Sequence, residues 1–334
     1  MAFSNRSTIF GWALILCCII AVPVGLFSRA SHAVPEKSKT KSKNWSILNQ
    51  SDRIQVLHIY GAIVDQDEDA GFLPHTNTAA WAKKKLRKAA DDNDIKGILL
   101  RINSPGGTVG MSQEVYDAVE FVRSKHKPVV VSMGDVAASG GYYIASAADR
   151  IFANAGTLTG SIGVIMHLMN WQETEKKIGF QPTVIKSGEF KDIGSSDRPM
   201  TAAEKALLQG IIMDSYDQFV TAVSQGRHMS KDIVKKLADG RIYSGRQAKS
   251  VSLVDELGGY EEALAWLQNK CKEQYKLKED LEVDDGSSSL NFLSSMFQSS
   301  SSQSNVLSVN GLLKGLLPIS ADPNFNKVPL WIMQ

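Results

Sequence analysis

Two short runs with almost no polar residue, Gly97–Asn103 (GILLRIN) and Pro128–Met133 (PVVVSM), constrain this chain more than any other feature. Nearly continuous apolar runs of this length suit strands buried on both faces of a parallel sheet. Each leads into a glycine-rich turn. Helical spacing is read over Ala79–Asp91 and Ser112–His126, the second with Val115, Ala118, Val119 and Val122 on one face. Ile54–Val64 reads as one or two strands broken near Gly61, and Arg150–Ala153, Ile162–Met166 and Thr183–Lys186 as further short strands. Thr201-x-x-Glu204 is a capping-box pattern opening a helix to about Ser224, with Leu207, Leu208, Ile211, Ile212, Tyr216, Phe219 and Val223 as its core face. Strands alternating with helices place the chain in the α/β class.

The ends read differently. Ile9 to Phe27 carries no charge, and its nineteen residues as a helix span roughly 28 Å, close to the thickness of a bilayer core. Residues 1–30 are therefore expected to form an N-terminal membrane anchor, although Ser31-His32-Ala33 also suits cleavage of a signal segment. Residues 31–52 form a polar linker, 53–275 the folded domain with an exposed loop at Asp65–Thr78, and 276–334 a Ser-rich tail expected to lack order. Arg6 is the single charged side chain before the apolar span. Arg29, Lys37, Lys39, Lys41 and Lys43 follow it, and the positive-inside rule alone would keep the bulk of the chain in the cytoplasm.

Charge and cysteine content remove several classes. The 37 Lys and Arg balance 35 Asp and Glu to a formal net charge of +2, which argues against a basic nucleic-acid binder. Of three cysteines, Cys17 and Cys18 lie in the apolar N-terminal run and only Cys271 lies outside it, so a disulfide scaffold is excluded. No His/Cys cluster has the spacing of a structural zinc site, and neither a metal nor another cofactor is expected.

The chemistry concentrates in glycine-bounded turns. Asn103-Ser104-Pro105-Gly106-Gly107 follows one predicted strand and precedes a helix. Paired glycines there let backbone N–H groups approach a ligand, either a phosphate or the oxyanion of an acyl-transfer intermediate, or they make a tight turn and nothing more. A P-loop lysine and a complete dinucleotide fingerprint are both missing. Ala137-Ala138-Ser139-Gly140-Gly141-Tyr142-Tyr143 follows the next strand and sets one hydroxyl among small residues, as a nucleophile elbow would, or as a helix cap would. A serine nucleophile needs a base. None of the six histidines, His32, His58, His75, His126, His167 and His228, lies in a motif-like setting. Lys191, in Lys186–Gly194 (KSGEFKDIG), is the alternative, because a buried lysine can shed its proton and act as a base. Leu158–Val164 (LTGSIGV) offers a further hydroxyl, Ser161.

Taken together, NSPGG at Asn103–Gly107, MGDVAASGGYYIAS at Met133–Ser146, LTGSIGVIM at Leu158–Met166, KSGEFKDIG at Lys186–Gly194 and DGRIYSGRQAKSVSLVDELGG at Asp239–Gly259 resemble the SppA family of signal peptide peptidases. These are membrane-anchored serine proteases related in fold to ClpP and the crotonases, and the likeness is to their short, single-repeat form. The resemblance implies a ClpP/crotonase-like superhelix of ββα units over 53–275. It implies a Ser–Lys dyad of Ser139 and Lys191, Ser161 orienting the lysine, and an oxyanion hole from the N–H groups of Gly106 and Gly140. It further implies a homo-oligomer whose dyad is shared between subunits, an extracytoplasmic catalytic domain on a single-pass membrane protein, and hydrophobic peptides such as signal-peptide remnants as substrates. A crotonase-like acyl-CoA enzyme using the same glycine amides, and a catalytically inert membrane scaffold of the same fold, are the alternatives.

Overall fold

Apolar residues dominate the central strands, and in the computed structural model, which describes residues 51–65 and 77–285, those strands are covered on both faces. The elements run β1 (Arg53–Tyr60), α1 (Ala79–Asp91), β2 (Ile95–Ser104), α2 (Val109–Ser124), β3 (Val129–Ala138), α3 (Gly140–Ser146), β4 (Arg150–Ala153) and β5 (Leu158–Gly160). They continue as α4 (Gln172–Lys177), α5 (Ala202–Gly226), α6 (Lys231–Leu237), β6 (Ile242–Ser244), α7 (Gly245–Ser250), β7 (Glu256–Leu257), α8 (Tyr260–Tyr275) and β8 (Glu282–Asp284). The expected membrane segment, the linker up to Gln50, most of the Asp65–Thr78 loop and the tail from Gly286 lie outside the described residues. Among the described residues no helix is long and apolar enough to cross a membrane.

The sheet has the order β6-β5-β3-β2-β1-β8, with β4 and β7 branching from β3, and every pairing is parallel except β5 with β6. Consecutive parallel strands require crossovers, and α1 and α2 supply them between β1, β2 and β3. Ile98, Leu100 and Ile102 of β2 pack on one side into a core shared with α1, α2, α3 and the end of α5. Leu99 points to the other side, against Ala263, Leu267 and Cys271 of α8. The predicted face of α2 is fully buried at Val115, Ala118, Val119 and Val122. Cys271 is a free thiol that burial pushes up to about 12.

Three expectations are corrected. Ile162–Met166 and Thr183–Lys186 form no strand. The folded domain does not stop at 275, because β8 adds in parallel to β1 and the Gln268 side chain holds Leu281 through both its N–H and its C=O (2.9 Å each). The predicted core face of the long helix is buried only toward its end, at Phe219 and Val223, whereas Leu207 and Ile211 are exposed. Most of the first half of α5 is exposed, Glu204 excepted.

Candidate active site

The site forms where β2 and β3 run out. β3 changes partner along its length, pairing with β4 at Val130–Ser132 and with β5 at Val136–Ala138, and its register with β2 breaks between these stretches. Asn103 bridges the break, its Oδ1 accepting the Val136 N–H (3.0 Å). This ties the turn after β2 to the last residues of β3.

Ser139 follows at once, with φ +52° and ψ −120°. A side-chain-bearing residue is rarely found there, and holding it costs on the order of 1–3 kcal/mol. Two backbone bonds hold it: Ser139 N–H donates to Gly160 O (2.9 Å), and Tyr143 N–H donates to Ser139 O (2.8 Å). The side chain is half-buried and caps no helix, and among the described residues its hydroxyl has no hydrogen-bond partner. Behind it, the fully buried Tyr142 roots α3 by donating its hydroxyl to Leu253 O (2.8 Å), and burial raises that phenol well above its ordinary range.

The first glycine turn lies directly against this elbow. A Cβ on Gly106, whose φ is +111°, would sit 2.8 Å from Ser139 Cβ and 2.9 Å from Gly140 N. A Cβ on Gly140 would sit 3.3 Å from Gly107 N. The turn is fixed from its far side by residue 63, where Ile63 N–H donates to Gly106 O (2.9 Å) and Thr108 N–H donates to Ile63 O (2.8 Å). The family resemblance implies Gly106 as one oxyanion donor, but that N–H is engaged within the turn by Ser104 Oγ (3.1 Å). The neighbouring Gly107 N–H and the Gly140 N–H have no partner among the described residues. Among the described residues, a hydroxyl without a partner thus lies beside two donors without one, an arrangement acyl-transfer chemistry can use.

Ser161 belongs to the same cluster. The β3–β5 register pairs Ala138 with Gly160, so the next positions along are Ser139 and Ser161. Ser161 also has positive φ (+49°), and its N–H donates to Arg241 O (2.8 Å). Lys191 lies on a long excursion between β5 and α5. It is exposed, and no hydrogen bond joins its amine to Ser139, Ser161 or any other described residue. The excursion carries unusually exposed apolar side chains, among them Ile165 (77%), Phe180 (58%) and Ile185 (96%).

Beside Lys191 the chain is braced by charge. Asp192 accepts from Lys186 Nζ (2.7 Å) and from Arg198 Nε (2.9 Å). Arg198 also forks onto Glu204, with Nη1 to Oε2 at 2.9 Å and Nη2 to Oε1. Glu204 closes the capping box predicted from sequence by accepting the Thr201 N–H (2.8 Å). The Arg198 guanidinium, followed by the Thr201 amide, lowers the Glu204 carboxyl to about 2. Arg198, followed by Lys186, holds Asp192 well below the usual carboxylate range. Among the described histidines, His58 bonds Tyr60 (Nδ1 to Oη, 2.9 Å) and none bonds Ser139. Among the described residues no group of three His, Cys, Asp or Glu is placed to hold a metal.

Sequence reasoning missed Gly107, Asn103, Arg198 and Asp192. Gly107, Asn103 and Asp192 stand inside recognised motifs, while the pairing of Arg198 with Asp192 and Glu204 has no local pattern to betray it.

Comparison with known proteins adds an independent line. Residues 122–274 match the family model of peptidase family S49, and residues 73–158 match that of Clp protease. A protein of Methanocaldococcus jannaschii is 48% identical over 205 residues, which are 61% of this chain and 66% of its own length. Protease 4 of Haemophilus influenzae is 38% identical over 237 residues, 71% of this chain and 37% of its own. The chloroplastic serine protease SPPA of Arabidopsis thaliana is 32% identical over 291 residues, 85% of this chain and 42% of its own. The chain spans just under two thirds of the first relative and well under half of the other two.

Proposed function

We propose, from the match of residues 122–274 to the model of peptidase family S49, that this chain is a serine endopeptidase with Ser139 as nucleophile and Lys191 as general base. The observation that carries the reading is the strained elbow at Ser139, with its hydroxyl unpartnered and the Gly107 and Gly140 amides free beside it.

In the proposed reaction the neutral Lys191 amine takes the Ser139 proton as Oγ attacks the scissile carbonyl carbon. The Gly107 and Gly140 N–H groups hold the resulting oxyanion, and Gly106 keeps the turn clear of the hydroxyl. Collapse breaks the C–N bond, and the Lys191 ammonium returns the proton to the leaving amine. Water then repeats the sequence against the acyl-serine, with Lys191 again as base. Ser161, next to Ser139 in register, orients the amine. In this reading Lys191 is supplied by a neighbouring copy: among the described residues no base bonds Ser139, and the exposed apolar side chains of the excursion suit such a contact.

The substrates proposed are hydrophobic peptides such as signal-peptide remnants. The apolar span Ile9–Phe27 would tether the enzyme where they accumulate, with its catalytic domain outside the cytoplasm. Purified full-length protein should cleave an apolar quenched-fluorescence peptide, and Ser139→Ala and Lys191→Ala should each lower turnover by at least about 10³-fold with the fold retained. Turnover within tenfold of the unmodified protein in either variant would refute the dyad.

A further inference from the structure

A lysine base has a conspicuous problem at this position: the next residue is an acid. A carboxylate beside an amine favours the ammonium form, which cannot accept a proton. The Asp192 carboxylate is held between two cations, Lys186 (2.7 Å) and Arg198 (2.9 Å), and is 13% exposed. Arg198 carries the link onward to Glu204, which is 2% exposed at the first turn of α5.

We propose that Lys186, Asp192, Arg198 and Glu204 form a charge-balanced brace that presents Lys191 and cancels the acid next to it. This rests on the reading of Lys191 as the base, and the four are positioning residues. Two cations and two anions sum to zero, so the brace fixes the loop while the Asp192 charge beside the amine is offset by the cations bonded to it. Its covalent reach is short, because Lys186 and Asp192 enclose the loop that bears Lys191 and Arg198 anchors that loop to the start of a 25-residue helix. Other charges face the same loop. Glu189 lies on it, Asp197 lies on the following stretch, and Glu175 and Lys176 of α4 line the cavity of about 420 Å³ beside Asp192. Lys176 is paired with Glu173 (2.8 Å). These groups are the same in every variant below, so differences between variants isolate the brace.

The sign of the effect separates an electrostatic role from a merely structural one. Turnover by a lysine base rises with pH as the amine loses its proton. Arg198→Gln leaves the brace at net −1, which holds the amine protonated to higher pH. Asp192→Asn leaves it at net +1, which frees the amine at lower pH.

The test is the pH profile of peptide turnover by the full-length protein with the apolar quenched-fluorescence peptide. The profile should move up by about half a pH unit or more in Arg198→Gln and down by a similar amount in Asp192→Asn. Arg198→Lys, which keeps the charge but loses the fork, should restore the unmodified profile at reduced turnover. Peptide KM should change less than twofold in all three. Profiles that stay put, or that shift together, overturn the brace. If Arg198→Gln loses its native size on a sizing column, the other two variants decide, and an Asp192→Asn profile that does not move down is then sufficient to reject it. Lys191→Ala runs in parallel: if it stays active, the base assignment falls and the brace with it, whereas a dead Lys191→Ala with unmoved profiles overturns the brace alone.

Discussion

At Ser139 the backbone strain and the chemistry coincide. A left-handed φ on a serine persists only where its surroundings impose it, and here the Gly160 carbonyl and the Tyr143 amide do so. The same crowding explains Gly106, which matters for what it lacks. A methyl group there would be 2.8 Å from Ser139 Cβ and 2.9 Å from Gly140 N, in a backbone conformation that suits glycine. Gly106→Ala should therefore cost about 3 kcal/mol in denaturant unfolding and at least 10²-fold in turnover of the protein that remains folded. Stability loss with unchanged turnover would mean that the turn does not bear on the nucleophile. Both glycine turns were readable in the sequence, because strand, turn and helix follow one another within about ten residues. The choice between Gly106 and Gly107 as donor was not, since it depends on where the Ser104 hydroxyl lies after folding.

At the scale of elements, periodicity identified helices well and their surroundings poorly. The boundaries of α1 and the buried stripe of α2 follow from spacing alone, because both helices lie flat on the sheet. Helix α5 shows an equally good stripe, yet Leu207 and Ile211 are exposed. Apolar spacing along a helix does not say whether the rest of the same chain covers that face. Thr183–Lys186 misled for a related reason: its apolar residues are exposed, and among the described residues no neighbouring edge pairs with them. The brace at the start of α5 also makes an acid-sensitive element. Glu204 is depressed to about 2 from an ordinary 4.5, so its contribution is fully present above pH 4.5 and is lost as pH falls toward 2. Asp192 is depressed in the same direction. Hydrogen exchange should show the amides of 186–204 losing protection across that window before those of β2 and β3 do. Simultaneous loss would mean that the excursion has no separate acid step.

For the whole molecule, the α/β class followed from a few buried strands, whereas its outer strand β8 did not. A three-residue strand in the charged stretch Glu282–Asp284 shows no pattern of its own, and its partner Arg53 lies more than 200 residues away. The excursion bearing Lys191 raises the corresponding question between copies: among the described residues no base is bonded to Ser139, and the amine proposed to serve it lies among exposed apolar side chains. Mixing two inactive proteins puts this to the test. Ser139→Ala keeps the lysine and Lys191→Ala keeps the serine, so an assembly that combines them rebuilds intact sites wherever the two chains meet in the right order. Peptide turnover by an equimolar mixture, dissociated and reassembled together, should recover to about a quarter of the unmodified level if each site draws on one neighbour. A mixture shown by mass to contain both chains, yet no more active than either variant alone, would contradict the shared Ser139–Lys191 site.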